Sequence, residues 1–492
     1  MRLLCALSLL LVSTTTAQKL TPQDLVAAVS VDRLRNTLTS LDAIAKTHGG
    51  NRAFDTPGYN ASLDFILSHT NRLSSKFDTH LHRFTAPQYT LFNKSLTGPD
   101  GKEVFAAVPY FGPPTPLPDG ITGLLVNTPV DDERGSMCLE EQWVGVEAKG
   151  RIALVKRGLC PFAQKLELAK KHGALAVIVY NNNPGNDFLN IGLGSDSDKA
   201  IPIVIISFGD AQPWISSLNA GEDVKVTLII NAVSENRPSW NIISQTKAGD
   251  ANKVIMLGAH LDSVVQGPGI NDDGSGSALV LELMEIISQY DDFPHAVRFG
   301  WWGNEEGGLV GSTAYVDDLA KDEKELDKIK LYFNYDMVGS MVPSYYVARS
   351  QNGGNTTQYM GDVIKAEGAT PLFTEYGDPN DPSQSGNSDY YAFIRSGIPI
   401  ASIHTGGGDP ADVCYHQACD TIDNINWDAM RISTKAAASG LGVLINSLDG
   451  VPPRTIRKRS DRQYVMQTRD THGTATCSHA GVHKHHYMRS LS

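Results

Sequence analysis

The chain has 492 residues, 41% of them apolar and 20% charged, with a formal net charge of −12 at pH 7. That length and balance give room for two or three domains with cores of their own. The acidic total excludes a protein that grips nucleic-acid phosphates with a basic face.

The start, MRLLCALSLLLVSTTTA, combines Arg2, an apolar run from Leu3 to Val12 and small residues up to Ala17. It reads as a secretory signal over residues 1–17, too short to span a membrane. No later run reaches 18 apolar residues, so no membrane anchor is expected, and the expected location is extracellular rather than vacuolar. Cys5 leaves with the signal. In an oxidising compartment proximity pairs Cys138 with Cys160 and Cys414 with Cys419, and Cys477 is left over. Sequons at Asn60, Asn93 and Asn355 agree with secretion. A monomer is expected.

Val31, Leu34, Leu38, Leu41 and Ile44 recur at helical spacing, so 31–46 reads as an amphipathic helix. The loop GGNRAFDTPGYNAS ends it, and a second helix is expected over 62–73. Proline thickens between Pro109 and Pro118 as a boundary signal. Residues 116–235 then read as a compact insert, with short apolar strands at 121–126, 152–155, 175–180, 203–206 and 224–230, and a helix near 162–172. From 239 to 448 strands at 254–257, 296–302, 330–335 and 398–403 alternate with helices, as in a buried, mostly parallel sheet. The expected plan is α/β: one domain of 18–115 and 236–451 with a central sheet flanked by helices, the insert at 116–235, and a tail at 452–492. From Pro452 on, eight Lys or Arg against two Asp make the tail basic and leave −18 on the residues before it. Lacking apolar periodicity, the tail reads as disordered. It holds a dibasic run at Arg457–Lys458–Arg459 and scattered histidines.

Chemistry concentrates at the ends of those four strands. His260 closes the first, Asp262 stands two residues on, and a glycine-rich turn brings round Asp272. Asn304–Glu305–Glu306 follows the second, Asp336 the third, and the loop Cys414–Tyr415–His416–Gln417–Ala418–Cys419 lies beyond the fourth. Open α/β sheets place their sites at such carboxyl ends. Singly, each residue has a structural reading: a satisfied His260–Asp262 pair, a solvated Glu305–Glu306 loop, Asp336 and His416 as surface or capping groups. Together, two histidines and three carboxylates are too many for one catalytic zinc, which takes three protein ligands, and they suit two zinc ions sharing one carboxylate. Asp272 is the natural bridge, with His260 and Asp336 on one ion and Glu306 and His416 on the other. Glu305 is then free as general base. Trp301 and Trp302 read as core or pocket wall, His404 as structural, and Met337 as a lining residue for an apolar side chain.

The motifs HLDS…GINDDGSG, WWGNEEGGLVGS, NYDMVGS and CYHQACDT resemble those of the co-catalytic di-zinc aminopeptidases, closest to the secreted fungal leucine aminopeptidases and the aminopeptidase Y type. The resemblance spans most of 20–450, takes in NRAFDTPGYNAS, and includes KGRIALVKRGLCPFAQK…GALAVIVYNN, which is similar to a protease-associated domain. It implies two Zn²⁺ on His260, Asp272, Glu306, Asp336 and His416, Glu305 as base, Asp262 as orienter of the His260 ring, and Tyr415 as a stabiliser of the oxyanion. The implied reaction is hydrolysis of the N-terminal peptide bond of peptides with a free N-terminus, with apolar residues such as leucine preferred. Rivals on the same fold are a carboxypeptidase, which needs a cationic clamp for its substrate's carboxylate, a glutaminyl cyclase, and a receptor-like relative without catalysis. Bacterial relatives with Arg before Ser-Asp differ from this chain, where Asn387 stands in that place.

Overall fold

The computed structural model describes residues 20–182, 184, 200–350, 355, 357–376 and 386–455. The expected signal lies outside them, as do the basic run at 457–459, Cys477 and the tail histidines. The described residues form two compact units, one drawn from within 20–82, 240–376 and 388–455, the other mainly from 83–239.

Among the described residues, twelve strands are numbered in chain order: β1 Phe77–Thr97, β2 Ile121–Asn127, β3 Ile152–Lys156, β4 Ala176–Tyr180, β5 Ile203–Ile206, β6 Lys225–Thr246, β7 Asp250–His260, β8 His295–Trp302, β9 Ile329–Tyr335, β10 Tyr345–Ser350, β11 Pro371–Tyr376 and β12 Ile400–His404. In the 83–239 unit β2, β3, β4 and β5 run parallel in that order, and the early part of β6 pairs antiparallel with β2. Helices Phe162–Lys171 and Phe208–Asn219 complete it, and Cys138 is bonded to Cys160 as proximity suggests. The unit starts well before residue 116 because Tyr89, Leu96 and Ala106 pack into the same apolar core as Leu125, Ile152 and Ile178. The proline run lies inside the unit, not at its edge.

The other unit holds a sheet in the order β11, β10, β12, β9, β7, β8 and the later part of β6. Neighbours β8–β7, β7–β9, β9–β12 and β10–β11 are parallel; β10–β12 and β6–β8 are antiparallel. Val254–Leu257 and Leu331–Tyr335 are buried at every position, which requires cover on both sheet faces. Helices provide it. Gly276–Ile287 buries every residue but Glu285, and the buried Glu282 within it is satisfied by Arg33 Nε at 2.7 Å, Arg33 Nη2 at 2.6 Å and the Ser30 N–H at 2.7 Å. Val31–Thr47 appears where the periodicity places it. The next helix is Pro57–Arg72, starting five residues before the expected 62. Thr56 caps it by accepting the Tyr59 N–H, and Pro57 sits in the first turn, where its missing N–H costs nothing. His404 stacks on Tyr346, 4.6 Å between ring centres.

Candidate metal centre

Four parallel neighbours, β8, β7, β9 and β12, deliver their carboxyl ends to one edge of the sheet. His260 is the last residue of β7; Glu305 and Glu306 lie in the turn after β8, and Asp336 follows β9 directly. Asp272 lies in the tight turn Ile270–Ser275 that opens the Gly276 helix. His416 comes from the loop after β12, closed by the Cys414–Cys419 bridge, and takes a left-handed backbone with φ 58°.

The convergence is close. Asp272 Oδ1 lies 3.2 Å from His260 Nε2, and Asp272 Oδ2 lies 3.1 Å from His416 Nε2. One carboxylate thus faces two histidines, one per oxygen. His260 Nε2 is also 3.8 Å from Asp336 Oδ1 and 3.9 Å from Glu305 Oε2, while His416 Nε2 is 3.1 Å from Glu306 Oε2. All six side chains singled out as ligands or base are therefore brought together. The Tyr415 ring stacks on that of His416, 3.8 Å between centres. Met337, also left-handed at φ 55°, is buried beside the site, and a Cβ on Gly407 would sit 3.1 Å from its Sδ and 3.6 Å from Tyr415 Cδ2. Trp301 and Trp302 are fully buried, their indole N–H groups donating to the Ser277 carbonyl and the Tyr332 hydroxyl.

Asp262 departs from the expected role. His260 Nδ1 meets the backbone carbonyl of Asp262 at 3.0 Å, and the Asp262 carboxylate stands 3.8 Å away. That carboxylate instead accepts the N–H of Glu305 at 3.0 Å and of Glu306 at 3.3 Å. The ring is oriented by a peptide oxygen, and the carboxylate fixes the turn that carries both glutamates. The spacing H-x-D could not distinguish the two, since both oxygens belong to the same residue.

Sequence reasoning missed a further group of buried acids. Asp273 accepts three backbone N–H groups, from His260 at 3.2 Å, Gly276 at 2.8 Å and Met337 at 3.1 Å. Asp420 accepts those of Asn271 at 2.8 Å and Asp272 at 3.0 Å. Ser388 donates to Asp336 Oδ2 at 2.6 Å, and Asp389 beside it is buried. The adjacent carboxylates in GINDDGSG and the Asp after Cys419 were visible as letters, but a carboxylate that works by collecting N–H groups leaves no periodic trace.

Electrostatics show what such packing demands. Burial, reinforced by repulsion from Asp272, carries Glu306 up to about 7. Burial does the same for Asp389 and Asp420, each to about 7. Glu305 is held well above the carboxylate range by burial, against the attraction of His260 and with Asp389, Glu306 and Asp336 repelling it. Burial would lower His416, yet its hydrogen bonds to Asp272 and Glu306 raise it to about 10. Glu306 Oε1 is buried without a hydrogen-bond partner, an arrangement that costs about 1–3 kcal/mol or more if nothing binds there. Hard oxygen donors and imidazoles, in excess of what the nearby cations neutralise, fit divalent zinc. Among the described residues, His260, Asp272 and Glu306 form one set spaced to hold an ion, and His260, Asp273 and Asp336 another.

The chain matches the sequence profile of peptidase family M28 over residues 241–440 and that of the PA domain over 121–214. It is 35% identical to the probable lipoprotein aminopeptidase LpqL of Mycobacterium tuberculosis, covering 88% of each chain. It is also 35% identical to leucine aminopeptidase 2 of Arthroderma otae, covering 82% of each. Its fold is similar to that of BSAP, a zinc aminopeptidase from Bacillus subtilis, with a TM-score of 0.62 and 25% identity over 87% of this chain and 99% of that one.

Proposed function

Because the chain belongs to peptidase family M28 and is a zinc-dependent aminopeptidase, we propose that it removes N-terminal residues, apolar ones such as leucine above all, with two zinc ions held by His260, Asp272, Glu306, Asp336 and His416. The observation that carries this reading is the placement of the two Asp272 oxygens, each within 3.2 Å of a different histidine. Asp272 would be shared, His260 and Asp336 serving one ion and Glu306 and His416 the other.

When bound, such a pair polarises a carbonyl and makes a water molecule acidic near neutral pH. Glu305, buried at the same edge and raised in pKa, takes the water's proton and returns it to the departing amine. Tyr415, whose ring stacks against that of His416, would donate its hydroxyl to the developing oxyanion. The substrate's ammonium suits a mouth lined with carboxylates. Arg52, buried beside the cluster, has its guanidinium engaged by backbone carbonyls and so offers no clamp for a C-terminal carboxylate, which favours an aminopeptidase over a carboxypeptidase. The residue 1–17 segment supports secretion, and no described helix is long and apolar enough to cross a membrane. The domain plan we favour is a peptidase body with residues 83–239 as its PA-containing insert.

The test is a metal count on the purified protein together with a panel of aminoacyl-anilides and N-acylated peptides. Two zinc ions per chain and turnover of leucine anilide are expected. One ion per chain, or cleavage confined to acylated substrates, would sink the reading.

A further inference from the structure

The NRAFDTP segment takes no part in the chemistry proposed above, yet it reaches the metal loop. Arg52 is fully buried. Its guanidinium donates from Nη1 to the Leu261 carbonyl, from Nε to the Pro268 carbonyl at 2.9 Å and from Nη2 to the Gly269 carbonyl at 2.5 Å. Its own peptide joins in: the Arg52 N–H donates to Ser263 Oγ at 2.9 Å, and the Ser263 N–H donates back to the Arg52 carbonyl at 3.3 Å. Leu261 follows His260 directly, and Gly269 closely precedes Asp272. One planar fork therefore grips both ends of the connection between a histidine and the shared carboxylate.

The choice of a cation needs explaining. All three acceptors are neutral carbonyls, and a neutral donor could close a loop at far lower desolvation cost. Burial works against the guanidinium's charge, and the carboxylates that favour it across space are Asp262, Asp420, Asp273 and Asp272, so it makes sense only where negative charge is in excess. Arginine, unlike lysine, keeps its charge when buried and offers several N–H donors in fixed directions.

We propose that Arg52 is a positioning residue of the metal centre: its fork sets the spacing of His260 and Asp272, and its charge offsets the surrounding carboxylates, so that the cage is shaped before zinc enters. The inference rests on the ligand set proposed above. It is tested on the full chain by stripping the metal and measuring zinc affinity in competition with a chromophoric chelator. The melting temperatures of the stripped and loaded forms, and kcat and KM for leucine anilide, are measured alongside.

Arg52→Met should lose about 10–100-fold in zinc affinity, the range for groups that support a metal ligand. Its stripped form should melt below the stripped wild type, because three buried carbonyls lose their donor, and its loaded form should lose more still. Its kcat should fall, and its KM should stay within about twofold, because substrate contacts are untouched. Arg52→Lys, which restores charge but not the fork, should recover part of the affinity. Wild-type zinc affinity in Arg52→Met overturns the inference. So does a loss of melting temperature that is equal in the stripped and loaded forms, which would make Arg52 a residue of the fold alone. Should Arg52→Met not fold, Arg52→Lys and Ser263→Ala carry the test: both should bind zinc more weakly than the wild type, and wild-type affinity in both overturns it. His416→Ala keeps the two readings apart. Metal loss there but not in the Arg52 variants refutes Arg52 alone, whereas metal retention in His416→Ala refutes the ligand set.

Discussion

At the scale of single residues, Glu305 and Asp262 separate chemistry from positioning. Glu305, proposed as the base, stands 3.9 Å from His260 Nε2, and Asp336, proposed as a ligand, stands 3.8 Å from it, so the metal content of a variant rather than distance separates the two roles. Glu305→Gln should lower kcat by about 10²–10⁴-fold, the usual weight of a general base. Its zinc content, read by metal analysis, should stay that of the wild type; loss of metal would mean that Glu305 is a ligand instead. Asp262 acts one step removed, through the N–H groups of Glu305 and Glu306. In Asp262→Asn one acceptor oxygen becomes a donor facing an N–H, so the glutamate turn should loosen. A fall of about 10–100-fold in kcat together with weaker zinc binding is expected. The His260 ring, held by a backbone carbonyl, should keep its hydrogen bond, which NMR of the imidazole N–H would report. Of the five residues proposed as ligands, His260, Glu306 and Asp336 were legible because they close or closely follow apolar strands, where a charged group is costly without a partner; Asp272 and His416 lie in loops and were legible from their motifs. Arg52, Asp273 and Asp420 were not: most of their partners are backbone atoms remote in sequence, and no spacing rule predicts those.

At the scale of elements, the strands that bear the site were readable because they are largely buried on both faces and so read as near-continuous apolar runs; 254–257 and 330–335 fall inside β7 and β9. The ends were less readable. β6 runs from Lys225 to Thr246, well past the expected 230, because its middle, Ser234 to Ser239, is largely exposed and polar and so looks like a loop. The Pro57 helix began early for a reason the letters did contain, a threonine followed by proline. The loop bearing His416 has no helix or strand of its own, yet it keeps a left-handed residue and a stacked tyrosine in place. The Cys414–Cys419 bridge closes this loop across five residues, beside hydrogen bonds such as that from the Cys414 N–H to Asp412 Oδ1 at 2.9 Å. Replacing both cysteines by serine should leave the far-UV circular dichroism unchanged while zinc affinity and kcat each fall about tenfold, at the low end for a support of a metal ligand. Full activity in that variant would show that the loop's buried acids, Asp412 and Asp420, hold His416 unaided.

At the scale of the whole molecule, the cluster makes stability depend on pH and metal together, with a sign opposite to the familiar one. Glu306, Asp389 and Asp420, at about 7, lie above the ~4 of an unfolded carboxylate. Between those values the folded chain holds protons that the unfolded chain has released, so its stability falls as pH rises through that window. His416 pushes the same way at higher pH. Raised to about 10 against ~6.5 unfolded, its contribution is complete below 6.5 and lost as pH climbs through 10. The zinc-free protein should therefore melt higher at pH 5 than at pH 8. Zinc reverses the trend, because its ligands must be deprotonated: binding expels those protons and tightens as pH rises. At free zinc a thousandfold above its dissociation constant, each site adds about 4 kcal/mol to the folded state. Calorimetric melting across pH 5–8, with and without a chelator, should show the gap between loaded and stripped protein widening with pH. A stripped protein whose melting temperature rises with pH would mean that these acids are neutralised from within the fold, leaving no electrostatic need for a second cation.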